Sequence, residues 1–396
     1  MHVALLMNFV APYRVPLLEA LRDRVGRLSV LISVPMEKDR NWVPDWGTLD
    51  VQVQRNVVLH RTYRDATGFS RQLEIHVPFD TLPRLVRSRP DAVISGELGM
   101  RSLQCALYKL VRPGMPFLIW ATLSEHSERG WGWARRALRR FILRRADGVL
   151  VNGESGARYI AGFGLPDGSI VRVNQPVDVD VFVRQPRVRN ERAGTRLLFS
   201  GMLVPRKGLM PFAAALADWC GRHPERSVEM WWLGGGELRG PLEALALPAN
   251  LSFRFLGERP YAALPEVYAQ ADLLAFPTLL DEWGLVVNEA MASGMPVLGS
   301  IYSQAVEELV EEGRTGWLFD PLDPASLSAG IDRALNTPPD ALPAMRQAAR
   351  NAAVGLNPTN AGDIMAEAVR AAAGRLRRGR RPERGSLPAQ AAGPTP

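Results

Sequence analysis

Lysine is almost absent from this 396-residue chain. Of 48 basic residues only Lys38, Lys109 and Lys207 are lysines, and the other 45 are arginines. Arginine is the default cation here, so each lysine marks a position where a compact ammonium replaces a planar guanidinium. Cysteine is as scarce. Cys105 and Cys220 stand 115 positions apart, which gives neither a disulfide framework nor a cysteine metal site and fits a reducing cytosol. No run approaches the ~18 apolar residues that span a bilayer. The apolar start Met1–Met7 is too short for a signal peptide, lacks a basic n-region and meets Asn8 at once. With 46% hydrophobic and 22% charged residues, the chain has enough apolar surface to exclude a mostly disordered state. A net charge of +7 points toward polyanions if it is spread evenly.

What is present is an alternation. The apolar runs His2–Met7, Leu28–Ser33, Asp91–Ser95, Phe117–Ala121, Gly148–Asn152 and Ile170–Asn174 form one series. Arg196–Ser200, Val228–Leu233, Leu251–Leu256, Asp272–Phe276, Pro296–Gly299 and Gly316–Phe319 form a second. Continuous apolar runs suit parallel strands buried on both faces. Helical stretches such as Val15–Arg24, Trp133–Arg145, Gly208–Arg222 and Trp283–Ser293 lie between them, which is the βαβ pattern. The reading is an α/β fold of two doubly wound, Rossmann-like domains facing across a cleft. Their bounds are residues 1–175, a Pro- and Arg-containing linker at 176–195, and residues 196–356. A helix over 357–373 follows, then a tail over 374–396 whose Arg, Gly, Pro and Ala content reads as disordered. Ligands of open parallel sheets sit past the carboxyl ends of the strands, so the loops that follow strands are where chemistry belongs.

The richest such loop lies in residues 272–300. A strand ends at Phe276-Pro277, Asp281 and Glu282 follow, and a helix starts near Trp283-Gly284 and stops at Gly294, ahead of Pro296. Free N–H groups of Gly284, Leu285 and Val286, together with the helix dipole, make a diphosphate site. Gly284 lets a ligand approach the backbone closely. Glu289, one to two turns in, suits a bidentate bond to a ribose diol, and Asp281 suits the hydroxyls of a second sugar. The plainer alternative is an N-cap carboxylate and an ordinary helix glutamate.

This stretch resembles the retaining glycosyltransferases of family 4. Their mark is two glutamates with seven residues between them, within Glu-x-Phe-Gly-Leu-x-x-x-Glu-Ala-Met-Ala-x-Gly-x-Pro-Val. Here Asp281, Trp283, Gly284, Leu285, Glu289-Ala290-Met291-Ala292, Gly294 and Pro296-Val297 match, with Asp281 one methylene short and Trp283 replacing Phe. Residues 199–208 keep Gly201, Lys207 and Gly208 of the family's diphosphate-binding turn, but Met202 stands where Arg is usual and Arg206 is the available substitute. Gly234-Gly235-Gly236 and the Leu256–Tyr261 loop with Arg259 follow in the family's order, so the resemblance covers about residues 196–320.

The resemblance implies the GT-B fold. It implies a nucleotide-sugar donor bound by Gly201, Arg206, Lys207, Gly234, Arg259, Asp281, Trp283, Gly284, Leu285, Val286 and Glu289, and a glycan, lipid-linked or small-molecule acceptor. No cofactor is implied, since the nucleotide sugar is a co-substrate, and metal independence is the expectation. Cytoplasmic polysaccharide biosynthesis is the implied setting. Catalysis falls to Asp281, Glu289 and Lys207, with His126 as a further candidate. The family's usual proposal is a front-face displacement in which the leaving diphosphate helps deprotonate the acceptor while Lys207, Arg206 and the helix end stabilise its charge. On the acceptor side, Pro12-Tyr13-Arg14 resembles the opening of a subset of the family. His126 is the only histidine near the position where the family often has one beside the reacting sugar. Arg14 reads equally as a surface residue, and His126 as an exposed loop histidine.

The positive charge is localised. Residues 131–145 hold six arginines and no acid, residues 375–384 six arginines and one glutamate, and the rest of the chain sums to −4. This argues against nucleic acid as a partner. In 131–145, Ala134, Ala137, Leu138, Phe141 and Ile142 share one helical face, and Arg135, Arg136, Arg139, Arg140 and Arg144 the other. Such a helix reads either as docking on an anionic membrane, peripherally at its inner face, or as a packed helix with a solvated arginine side. Two rival functions remain: a sugar-nucleotide 2-epimerase on the same fold, and a non-enzymatic membrane- or polyanion-binding protein.

Overall fold

A computed structural model describes residues 1–37, 43–64, 70–128, 132–166, 168–185 and 194–379, without the side chains of 61–64 and 70–73; Lys38 and Trp131 lie outside the described residues. The chain divides into two compact units. Unit 1 takes Met1–Tyr63, Gln72–Asn174 and the chain from Pro358 on, and unit 2 takes Arg64–Arg71 and Gln175–Asn357.

In unit 1 the order is β1 (His2–Met7), α1 (Val15–Val25), β2 (Arg27–Ile32), β3 (Asp50–Val53), β4 (Asn56–Arg64), β5 (Ser70–Pro78), α2 (Thr81–Ser88), β6 (Ala92–Gly96), α3 (Met100–Val111), β7 (Phe117–Ala121), α4 (Trp133–Leu143), β8 (Gly148–Val151), α5 (Glu154–Ala161) and β9 (Ile170–Arg172). Seven strands form a sheet in the order β3-β2-β1-β6-β7-β8-β9, and β4 pairs with β5. Every neighbouring pair in the sheet is parallel. The apolar runs read from the sequence are its five interior strands and the edge strand β9. The edge strand β3, Asp-Val-Gln-Val, has no fully buried residue and therefore carries no continuous apolar signal.

Unit 2 continues with α6 (Val179–Val183), β10 (Thr195–Ser200), α7 (Leu209–Arg222), β11 (Val228–Leu233), α8 (Arg239–Glu243), β12 (Leu251–Gly257), α9 (Leu264–Ala269), β13 (Leu273–Phe276), α10 (Leu285–Ala292), β14 (Val297–Ser300), α11 (Gln304–Leu309), β15 (Gly316–Phe319), α12 (Pro324–Leu335) and α13 (Leu342–Val354). Its sheet is parallel throughout, ordered β12-β11-β10-β13-β14-β15. In both sheets the order reverses direction once, between β1 and β6 and between β10 and β13. The loops after those strands diverge there and open the crevice that ligands of doubly wound sheets use. The stretch read as a linker supplies α6, whose Val179 and Phe182 join the core of unit 2. Among the described residues no helix is long and apolar enough to cross a membrane.

Two sequence expectations change. The C-terminal helix, α14 (Pro358–Arg377), runs past Gly374 into the segment read as a disordered tail; residues 380–396 lie outside the described set. It belongs to unit 1, where Ala361, Met365, Ala366, Val369 and Ala372 share a core with Leu17, Leu18 and Leu21 of α1. A Cβ at Gly362 would come within 2.8 Å of Ala20 Cβ, so glycine lets the two helices close. The arginines of α4 also do not form one solvated face. Arg139 is buried against Glu128 and the Tyr159 hydroxyl, and Arg135 reaches the same glutamate at 3.3 Å. Arg136, Arg140 and Arg144 stay exposed beside Trp133, which is 84% exposed.

Because Met365 is fully buried between α14 and α1, Met365→Ala is expected to destabilise the protein by about 2–5 kcal/mol. Ile364→Ala, at an exposed position of the same helix, is expected to cost under about 1 kcal/mol. Urea unfolding of the two variants checks this; equal losses would show that α14 is not held by its inner face.

Candidate functional site

The switch point of unit 2 collects most of the residues singled out in the sequence. β10 runs into Gly201, and a short 3-10 turn over Pro205–Lys207 ends at Gly208. The loop after β13 lies alongside. Leu279 N–H donates to Arg206 O at 2.9 Å, and Arg206 Nη1 donates to Leu280 O at 2.7 Å. Gly234, after β11, has φ 131°, and a Cβ there would overlap the Gly201 carbonyl. Only glycine lets these strand-end loops pack this closely.

Lys207 and Asp281 meet as an ion pair. Lys207 is 7% exposed, and its ammonium stands 5.1 Å from the centre of the Phe276 ring. Burial pulls its pKa below the ordinary lysine value, partly offset by Asp281. For Asp281 burial acts upward, but the charges of Lys207 and Arg206 outweigh it and hold the carboxyl below its ordinary value. Asp281 also accepts from Trp283 N–H at 3.3 Å, and its own N–H donates to Tyr302 O at 3.1 Å. It thus turns the chain into α10.

That helix begins at Leu285, with Gly284 at its N-cap in a left-handed conformation, φ 104°. A Cβ at Gly284 would press within 2.9 Å of both the Phe276 ring and Ser303 Oγ. The first-turn amides of Leu285 and Val286 lie ahead of any i−4 carbonyl. Glu289, one turn further, does not stand free. It is 6% exposed and accepts a hydrogen bond from the Tyr268 hydroxyl at 2.8 Å. Burial pushes its pKa up to about 7, against the smaller downward pull of that bond.

Trp283, read as a donor contact, is instead a core side chain. It is 2% exposed, and its indole N–H donates to Asn288 Oδ1 at 3.0 Å. Asn288 in turn donates to Gln175 O at 2.9 Å. Arg259 is exposed in the loop after β12. Tyr13, Arg14 and His126 belong to unit 1, where the Arg14 guanidinium stacks over Trp120 at 4.9 Å and His126 sits in the turn after β7. Sequence reasoning missed Tyr268. The available signal was a tyrosine on α9 beside apolar neighbours, since a buried hydroxyl requires a partner. Among the described residues no three His, Cys, Asp or Glu side chains converge as metal ligands. The Asp-x-Asp at Asp178–Asp180 straddles the start of α6, with Asp180 bonded to Arg184 at 3.0 Å.

Residues 185–353 match the family model for glycosyl transferases group 1. Over 215 residues the chain is 29% identical to the D-inositol 3-phosphate glycosyltransferase of Corynebacterium kroppenstedtii, covering 50% of this chain and 48% of that protein. Over 142 residues it is 31% identical to an uncharacterized glycosyltransferase of Methanocaldococcus jannaschii, 35% of each chain. The chain spans about half the length of the first relative and about a third of the second. Among solved structures it is similar to Anabaena HepE in complex with UDP, with a TM-score of 0.69 at 17% identity over 94% of this chain and 100% of that one. It is also similar to the apo form of the lipopolysaccharide outer core galactosyltransferase WaaB, with a TM-score of 0.69 at 13% identity over 94% and 99%. These likenesses show the fold, which is GT-B.

Glu289 sets a pH dependence. Folded, it keeps its proton up to about pH 7, whereas the unfolded chain releases it near 4.3. The folded state binds more protons across that window, so stability falls as pH rises through it. Glu289→Gln removes this slope. Urea midpoints are expected to show the wild type losing up to about 3 kcal/mol relative to Glu289→Gln between pH ~4.5 and ~7. Parallel pH curves would refute the buried, protonated carboxyl.

Proposed function

We propose that this chain is a retaining glycosyltransferase of the family 4 type, moving a sugar from a nucleotide sugar to a glycan, lipid-linked or small-molecule hydroxyl without a metal or other cofactor. The observation that carries this reading is the buried Lys207–Asp281 pair at the switch point of unit 2, placed where α10 starts, with Glu289 one turn behind. A diphosphate on the α10 amides competes with Asp281 for the Lys207 ammonium. The carboxylate it releases is then free to accept from hydroxyls of the donor sugar, and Glu289 from those of the ribose. In the transfer, the bond from the sugar's anomeric carbon to the diphosphate oxygen breaks. The acceptor oxygen bonds to the same carbon from the same face, and the acceptor's proton passes to the leaving phosphate. Lys207, Arg206 and the helix end stabilise the charge that develops there.

The 2-epimerase reading needs a histidine for proton abstraction. Unit 2 has only His223 among its described residues, stacked on Trp219 at 4.2 Å and bonded to its carbonyl. The curated relatives are named as glycosyltransferases. Lys207→Ala and Glu289→Ala are each expected to lower transfer by about 10²-fold or more. Circular dichroism confirms that each variant folds, because an unpaired Asp281 costs stability as well. A panel of UDP-, GDP- and ADP-sugars, read by the rise in Tm that a binder produces by mass action, identifies the donor. Full activity in either variant would overturn the assignment.

The exposed face of α4 supports a second element of the reading, a peripheral contact with an anionic membrane surface. Trp133, Arg136, Arg140 and Arg144 lie on one side, and these three arginines have no carboxylate partner among the described residues. Cosedimentation is expected with phosphatidylglycerol vesicles but not phosphatidylcholine vesicles, weakening with salt. Arg136→Glu/Arg140→Glu is expected to abolish it. Binding that ignores both lipid charge and these arginines would remove α4 as the contact.

A further inference from the structure

Unit 1 has its own switch point, between β1 and β6. Asn8 follows β1, Ser33 follows β2, and Gly99 caps α3 after β6. Arg101, in the first turn of α3, is 7% exposed. Its Nη2 donates to Asn8 Oδ1 at 3.3 Å and to Ser33 Oγ at 3.0 Å. Its Nε is sealed from solvent with no hydrogen-bond partner, and among the described residues no carboxylate pairs with it. Glu37 bonds Asn8 Nδ2 at 2.5 Å instead. Glu97, held in a left-handed conformation at φ 64°, bonds Thr122 Oγ1 past β7 and acts on Arg101 only at longer range.

The contrast with the other buried arginines is what matters. Three are buried among the described residues: Arg101, Arg139 and Arg196. Arg139 pairs with Glu128, and Arg196 with Glu229 at 2.9 Å. Only Arg101 has its charge unmatched by an ion pair, and it sits where doubly wound sheets bind ligands. A Cβ at Gly99 would meet nothing within 4 Å, so there is open space beside the cap of this twelve-residue helix. First-turn amides and a guanidinium together suit a phosphate.

We propose that Arg101, with Ser33 and the first turn of α3, binds a phosphate group. Assigning that phosphate to the acceptor rests on the transfer reading above; the anion site itself does not.

The test uses the full chain and inorganic phosphate at constant ionic strength. Lys207→Ala serves as the parent, which silences the diphosphate site of unit 2. Phosphate is expected to raise the Tm of this parent in a saturable way. Adding Arg101→Gln is expected to weaken the apparent affinity about tenfold or more. Adding Arg101→Lys, which keeps the charge but loses the fork, is expected to weaken it less. A phosphate response unchanged by Arg101→Gln, or absent from the Lys207→Ala parent, overturns the proposal. If Arg101→Gln does not fold, Arg101→Lys decides, and an affinity equal to the parent's overturns it. Whichever of UDP, GDP and ADP stabilises the wild type is expected to stabilise Arg101→Gln with native Lys207 to the same extent. A phosphate response that tracks Arg101 without a response to any of UDP, GDP and ADP would leave the anion site standing and sink the transfer reading.

Discussion

A charged pair sealed inside unit 2 sets the terms for everything around it. Lys207 and Asp281 lie 74 positions apart, on loops that leave two neighbouring strands in opposite directions. Neither charge is tolerable in the interior without the other, so the two loops must be brought together and held. Backbone bonds between Arg206 and residues 279–280 do this holding. Gly234 and Gly284 make room for it, since a side chain at either position would collide with its neighbours. A pair of this kind is weak evidence for net stability, because desolvation offsets most of its Coulomb energy. On the transfer reading, its worth lies in keeping a cation in place, half-neutralised, for an anion that competes with Asp281.

Two carboxyls on one short stretch are driven apart by their surroundings. Asp281 faces Lys207 and Arg206, whose charges hold its carboxyl below the ordinary value, whereas Glu289, eight positions later, is buried against the hydroxyl of Tyr268 and has its pKa pushed up to about 7. Divergent environments for paired carboxyls are how one site assigns different roles to similar groups. On the transfer reading, a neutral Glu289 would add no negative charge against an incoming diphosphate, and its carboxyl could still accept from, and donate to, a sugar diol. Tyr268 fixes its orientation from an element that no motif marks.

Much of this was legible in the sequence, for physical reasons that also explain the rest. Interior parallel strands are apolar along their whole length, so they stood out, while β3, half-solvated at an edge, did not. The loop after β13 was legible because helix starts and stops have residue signatures, and Lys207 because lysine is so rare in this chain. Burial of Glu289 was not legible, because it depends on Tyr268 reaching across from another helix. Nor was the place of Trp283, since an aromatic beside a glycine reads the same whether it stacks on a ligand or fills a core. The return of α14 to unit 1 depends on a long-range match between its small-residue face and α1, and chain order says nothing about that.

Arg101 shows the other side of the compositional bias. The scarcity that exposed Lys207 hid Arg101 among 44 other arginines, and only burial separates it from them. An arginine on the surface costs little and signals little. One that is buried beside strand ends, while two other buried arginines of the same chain have carboxylate partners, poses the problem that Lys207 poses in unit 2. There Asp281 answers the charge from within. In unit 1 the described residues leave the guanidinium to neutral partners, and a group from outside can meet its charge without first displacing a carboxylate from it.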